Sequence, residues 1–454
     1  MTTATLATER RASMLRHNRQ FRLLWMGQAL SRFGSSMSGV ALPLVLLTQG
    51  YLTTDVAVVS TAVAISGLTV RIPAGLLADR YDQRGLLIGS DLVRLVVVGA
   101  VALWVAVRPL PLWLAIAAVV VSAGASEVFA PSQFRLVRKV VSAEQIPAAM
   151  SLNQARTYAA DMAGPAAAGL LIGVLPALPF AVDALTFLLS AVCVAATVRG
   201  FRAGAGETSS RKDRAVRADR AVRADQAVPP RARPAGRAKR WGPPPGFWGQ
   251  VTAGLRHLAR DPFLRRSTVF FSGLTVVFTM FGSALLLGVG RQPGGAQAVG
   301  WALSTAALAG LLGSLAAPYL QRLMPLAVLV ATGPAVAAGL LLLAWLTGDT
   351  LAFVAAFSAM CLLVPAINAA VVAVMATSIP EEIYGRVTTA NDFAVQLLQP
   401  CAPLAAGVLL VSCSLPTTAL VLAACLAALA LLALTLPTPA PARTGRPEPS
   451  RSDA

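Results

Sequence analysis

Twelve apolar runs set what this chain can fold into. They lie at about 21–48, 56–77, 86–107, 112–131, 148–172 and 180–198. After a gap, six more follow at about 267–289, 299–319, 325–346, 351–377, 387–411 and 417–436. A helix needs about 20 apolar residues to cross the ~30 Å hydrocarbon layer of a bilayer, and each run supplies roughly that. Inside that layer the backbone must satisfy its own hydrogen bonds. The expected fold class is therefore an all-α membrane protein with twelve transmembrane helices in two bundles of six. Composition agrees: 56% of the 454 residues are hydrophobic, only 13% are charged, and the mean hydropathy is +0.67. A soluble domain carries about 25% charged residues.

The net charge of +18 could suggest nucleic acid, but its distribution argues otherwise. Positive residues crowd into the segments that alternate to one side, at 10–22, 135–139 and 199–266, whereas the other side holds little more than Arg108 and Arg291. Cytoplasmic loops carry such an excess of Lys and Arg, so a cell-membrane protein with both termini in the cytoplasm is expected, without a nucleic-acid partner. The five cysteines all fall in apolar runs with no C-x-x-C spacing, and read as small packing residues. The two histidines, His17 and His257, lie in cytoplasmic flanks, which leaves no His-based metal or catalytic centre inside the membrane.

Five segments result. Residues 1–20 form a basic amphipathic leader, 21–198 the first bundle, 199–266 a basic linker, 267–436 the second bundle, and 437–454 a Pro-rich tail. The linker contains a tandem hexamer, Ala215-Val216-Arg217-Ala218-Asp219-Arg220 followed by Ala221-Val222-Arg223-Ala224-Asp225-Gln226. It has too few large apolar residues to bury a core and reads as disordered. After it, 247–260 reads as a helix lying on the membrane surface, ended by Asp261-Pro262. The bundles are related in sequence. A shift of 238 residues aligns Glu144 with Glu382, Asn153 with Asn391, Pro165 with Pro403 and Gly169 with Gly407.

Between the second and third runs stands Gly75-Leu76-Leu77-Ala78-Asp79-Arg80-Tyr81-Asp82-Gln83-Arg84. It reads as a tight turn. Gly75 permits a close helix approach, Asp79 can meet the positive end of a helix dipole, and Arg80 and Arg84 anchor at an anionic surface. The spacing G-x-x-x-D-R-x-x-x-R resembles the loop signature of the major facilitator superfamily. Its counterpart in the second half, 313–322, keeps Gly313 and Arg322 but has no aspartate. Other stretches resemble the enterobactin and macrolide exporters of that superfamily. They include Asn18-Arg19-Gln20-Phe21-Arg22-Leu23-Leu24-Trp25 with Gly27-Gln28, Phe129-Ala130-Pro131, Ser151-Leu152-Asn153, Asp183-Ala184-Leu185-Thr186-Phe187 and Arg260-Asp261-Pro262. The fifth run resembles the antiporter motif g-x-x-x-G-P-x-x-G-G, keeping Gly164, Pro165 and Gly169, with Ala160 and Ala168 in place of two glycines.

The resemblance implies helices 1, 4, 7 and 10 around a central cavity, which carries Gln28, Arg32, Glu127 and Asn368 into the pathway. Ionisable residues inside a bilayer are rare and mostly functional. By depth, Arg32 and Asp161 lie near mid-membrane and Glu127 in the inner half. Arg32 and Glu127 could form a static ion pair or a proton-coupling site, with Asp161 as the alternative carrier and Arg156 as its partner. Asp91 and Arg94 complete the charge cluster under the loop motif. Asp183 falls in the first turn of the sixth helix, and Trp25 near a helix end reads as an interfacial anchor.

The expected function is a secondary active transporter of the efflux, multidrug-resistance type: a monomer in membrane lipid that exchanges a small amphipathic or drug-like molecule for protons. No G-x-x-x-x-G-K-[ST] motif is present, so the proton gradient is the expected energy source, without a cofactor. The alternatives are a dedicated siderophore or natural-product exporter, a non-transporting receptor and a membrane-embedded enzyme. The enzyme is disfavoured by the lack of intramembrane histidine and of H-E-x-x-H.

Overall fold

The computed structural model describes residues 18–141, 145–197, 256, 258–292, 294–378 and 381–435. The first half contains α1 (Arg19–Thr48), α2 (Thr53–Arg80), α3 (Gln83–Val107), α4 (Leu112–Val140), α5 (Ile146–Val174) and α6 (Leu178–Thr197). The second contains α7 (Pro262–Gly290), α8 (Gly295–Leu323), α9 (Leu326–Thr347), α10 (Thr350–Ser378), α11 (Glu381–Gln396), α12 (Cys401–Ser412) and α13 (Leu415–Leu434). Eleven described segments are long and apolar enough to span a bilayer, one of them running through α11 and α12. The helix outside that set, α5, is as long at 29 residues but carries Arg156 and Asp161. Among the described residues the fold is all-α, and the eleven segments together with α5 match the twelve runs in order.

Short polar side chains start the helices by accepting orphan backbone N–H groups. Asn18 accepts from Phe21 at 2.9 Å, Asp82 from Gly85 at 3.1 Å, and Asp261 from Leu264 at 2.9 Å. Asp261-Pro262 ends the helical residues 258–260, as expected, and it also caps and starts α7, since proline needs no N–H partner in a first turn. One expectation changes here. The motif from Gly75 to Arg84 is mostly helix, with only Tyr81 and Asp82 between α2 and α3. Two further boundaries differ: α4 continues past Pro131 to Val140, and the eleventh crossing is interrupted at 397–400. There Pro400 offers no N–H, and tight bonds take over, from Gln399 N to Gln396 O and from Cys401 N to Leu398 O, both 3.1 Å.

Apart from Arg108 and Arg291, the described basic side chains near helix ends, including Arg19, Arg22, Arg84, Arg260, Arg265 and Arg322, lie where α1 begins. This is called the basic end, and the opposite one the far end. In the first half α1 packs on α5, and α4 packs on both α2 and α3. In the second, α7 packs on α12 and α13, α8 on α10, and α9 on α10 and α13. The halves meet through α5 against α8, α2 against α12, and α1 against α7.

The two halves have different interiors. The first is held by polar links, described below. The second has an aromatic cluster between α7 and α10: Phe281 meets Phe353 and Phe357 edge-on at 4.9 and 5.2 Å, and Phe278 stacks on Phe357 at 5.2 Å. All five cysteines are free thiols.

Where the halves touch, glycines bring backbones together. A Cβ on Gly169 would lie 2.7 Å from Ala296 O and 3.1 Å from Gln297 Cα in the first turn of α8. The residue aligned with it by the internal repeat, Gly407, does the same against the first turns of α2, 2.6 Å from Ala57 Cβ and 3.1 Å from Thr53 O. A Cβ on Gly290 of α7 would lie 2.8 Å from Leu44 Cδ2 and 3.2 Å from Leu47 Cδ1 of α1. These contacts gather at the far end.

Candidate functional site

Three sets of charged and polar side chains lie inside the helical region, and they are paired differently from the sequence-based expectation. The first lies between α1 and α5. Arg32 Nη2 binds both carboxylate oxygens of Asp161, at 2.8 and 2.9 Å. These side chains are 47% and 32% exposed, so the pair is not enclosed by protein.

The second set joins α2 to α4 and to the other half. Arg71 Nε donates to Glu127 Oε2 at 3.2 Å, and Arg71 Nη1 donates to Gln396 Oε1 of α11 at 2.7 Å. Asp392, one turn before Gln396, is a further charged neighbour of Arg71. The expected Arg32–Glu127 and Arg156–Asp161 pairs are not formed. Helix rotation explains the exchange. The residues of α1 that share a face with Arg32 look onto α5, and α4 presents Glu127 to α2.

Deeper in the α1–α5 seam, Arg156 Nη1 donates to Gln28 Oε1 at 2.6 Å. Gln28 is 2% exposed and Arg156 8%, so Gln28 lies in the seam and not on an open pathway wall. Asn368 of α10 is exposed.

The third set is fully enclosed by α3, α4 and α6. Arg94 binds Asp91 at 2.6 Å, and Ser190 donates to the other oxygen of Asp91 at 2.7 Å. The Arg94 guanidinium lies 4.8 Å from the Phe129 ring centre and 4.4 Å from that of Phe187. With Asp91 0% and Arg94 5% exposed, this pair is a structural clamp, and its charges are compensated in place. Asp183 is 1% exposed in the second turn of α6, beside Thr186 and Gly34 of α1, not in a helix-capping first turn.

Of the loop motif, Arg84 donates to the Ala195 carbonyl of α6 at 3.1 Å and ties α3 to the end of that helix. Gly75, Asp79 and Arg80 fall in the last turns of α2, and their side chains lie outside the described residues, as does that of Arg386. Asn391 accepts a hydrogen bond from Thr268 of α7 at 2.8 Å. In the antiporter-like stretch, Gly164 lets Ser36 of α1 approach, where a Cβ would be 2.7 Å from Ser36 Cβ. The Pro165 carbonyl reaches 2.7 Å from the Cβ position of Gly300 on α8, and Gly169 meets the α8 first turn. This stretch is thus the joint at which α1, α5 and α8 converge. Trp25, near the start of α1, donates its Nε1 hydrogen to Leu152 O of α5 at 3.3 Å.

The sequence reading missed the Arg71–Gln396 link and the Arg156–Gln28 bond. Gln396 and Arg156 were visible as polar residues in apolar runs, but nothing in a single sequence gives the facing helix.

Residues 24–291 match the family described as the Major Facilitator Superfamily. A search of the curated proteins gave no match. Among solved structures, the chain is similar to a POT family transporter in complex with 5-aminolevulinic acid, with a TM-score of 0.62 and 12% identity over 92% of this chain and 96% of that one. A POT family transporter bound to a thioalcohol-conjugated peptide gives 0.60 and 12% over 92% and 95%. A bacterial homolog of the human lysosomal transporter Spinster, inward-facing and unoccupied, gives 0.59 and 12% over 92% and 95%.

Proposed function

Because the chain belongs to the major facilitator superfamily, we propose that this membrane transport protein exports a small amphipathic compound across the cell membrane in exchange for protons. The observation that carries the reading is the pair of partly exposed carboxylates, Glu127 and Asp161, each held by an arginine. A coupling carboxylate must be reachable from solvent and must have a cation to release when it takes up a proton. Glu127 meets both conditions, and its partner Arg71 also binds the opposite half through Gln396. Proton uptake by Glu127 weakens its hold on Arg71, which then turns fully to Gln396 and Asp392 and draws the halves together. Loss of the proton reverses this.

The positive-inside pattern supports a cytoplasmic basic end. On that reading the far-end contacts support an inward-open arrangement, the state named for the Spinster homolog. Export, as opposed to uptake, is supported by the antiporter-like stretch at the α1–α5–α8 joint.

Reconstituted vesicles with an imposed pH gradient test the reading. Glu127→Gln is expected to abolish uphill efflux while allowing downhill exchange of bound substrate. Concentrative efflux by Glu127→Gln equal to that of wild type, with loss in Asp161→Asn, would move the proton site to α5.

A further inference from the structure

The α1–α5 seam holds more positive charge than it balances. Arg32 is neutralised by Asp161, but Arg156 has no carboxylate partner among the described residues, and its charged neighbour is Arg32 itself. Its single bond is to a neutral amide, Gln28. Two donors in this pair are unpartnered and buried below 1 Å² of exposed surface: Arg156 Nε and Gln28 Nε2. An enclosed guanidinium without a counter-charge is costly, by several kcal/mol per ion, and an orphaned N–H adds to the cost. Every other described intramembrane arginine discussed above has an acid: Arg32, Arg71 and Arg94.

We propose that the Arg156–Gln28 pair is an anion subsite, and that the transported compound carries a carboxylate which binds there. The inference rests on the transport reading only in taking the seam as part of the substrate path. A monovalent planar anion fits better than a phosphate monoester. The seam has one uncompensated positive charge, so a carboxylate neutralises it and a dianion leaves it negative. The donors suit the choice too, since guanidinium N–H groups and an amide N–H pair well with two carboxylate oxygens.

The route in is marked by the exposed Arg32–Asp161 pair, one turn from Gln28 along α1. An incoming carboxylate first exchanges with Asp161 on Arg32 and then passes to Arg156. Both orphan nitrogens are covered in the present arrangement, so occupancy requires α1 to part from α5. Binding is thereby linked to movement at the joint where Gly164 meets Ser36.

The test uses the full chain in lipid nanodiscs, with no gradient, and follows its melting by tryptophan fluorescence. The probes are benzoate and 1-naphthoate, each against its neutral amide, with benzylamine as a cation. A ligand that binds the folded form raises the melting temperature with its concentration. Wild type is expected to be stabilised by at least one carboxylate and not by its amide or by benzylamine. In Arg156→Gln the half-saturating concentration should rise at least tenfold, whereas Arg156→Lys keeps part of the effect. Should Arg156→Gln fail to fold, Gln28→Leu removes one donor and should weaken the response severalfold.

Equal response to acid and amide in wild type, or an undiminished carboxylate response in the variants, overturns the proposal. Retained carboxylate binding without proton-driven transport fails the antiport reading alone. Proton-driven transport of cationic compounds with no carboxylate response fails the anion subsite alone.

Discussion

Adding one methyl group at Gly169 should tilt the protein toward opening at its far end. The new Cβ would sit 2.7 Å from Ala296 O and 3.1 Å from Gln297 Cα. Both are backbone atoms in the first turn of α8, so no side-chain rotation relieves the contact, and α5 must withdraw by several tenths of an ångström. Forcing a methyl group into such packing costs about 1–3 kcal/mol. The contact exists only while the halves are closed at this end, so the cost falls on the closed state alone. A difference of that size shifts a two-state equilibrium about 5- to 150-fold. Spin labels at Arg108 and Asp349, exposed positions in opposite halves at the far end, report the change as a gain in the long-distance population. Gly407→Ala, its counterpart in the internal repeat, is expected to act in the same direction, and Gly39→Ala, with nothing within 4 Å of its Cβ, to do nothing. Unchanged distance distributions in both Gly169→Ala and Gly407→Ala, with normal expression, would refute the argument that these glycines hold the far end shut.

Two further outcomes follow from features at opposite extremes of burial. Asp91→Asn leaves Arg94 enclosed without its carboxylate, for which about 3–5 kcal/mol of stability should be lost; the double variant with Arg94→Leu should recover much of it, and a single variant melting like wild type would remove the clamp role. Deleting residues 203–240, which lie outside the described residues, should leave folding and transport nearly intact because the segment has almost no apolar surface to pack. A deletion variant that reaches the membrane folded but transports little would contradict that.

Helix number, length and the relation between halves were legible because they are properties of one chain read along its length. The pairing of Gly169 with Gly407 is the clearest case: the alignment came from sequence, and both glycines meet the start of the second helix of the opposite half. Proline was less informative. Pro131 was read as an end but lies within α4, Pro262 follows the helix end expected there but also starts α7, and Pro400 does break its crossing. A proline removes a donor wherever it stands, and its position relative to the turn decides whether that donor was needed. The charged pairs were read least well. Depth along a helix follows from about 1.5 Å per residue, which put Arg32 and Asp161 at similar levels. Rotation about the helix axis, which aims Arg32 at α5 and Glu127 at α2, is set by packing between elements far apart in the chain.

The unlike interiors of the two halves have a consequence for how the protein tolerates mutation. The Asp91–Arg94–Ser190 clamp depends on direction: each atom has a fixed partner at 2.6 to 2.7 Å, and an isosteric change that moves or neutralises one group strands the others. The Phe278, Phe281, Phe353 and Phe357 cluster depends mainly on filled volume, and apolar cores accept exchanges that conserve volume at under about 1.5 kcal/mol. Sequence drift should run faster through α7 and α10 than through α3 and α6. In a random library, surviving variants should carry their interior substitutions mostly in the second half.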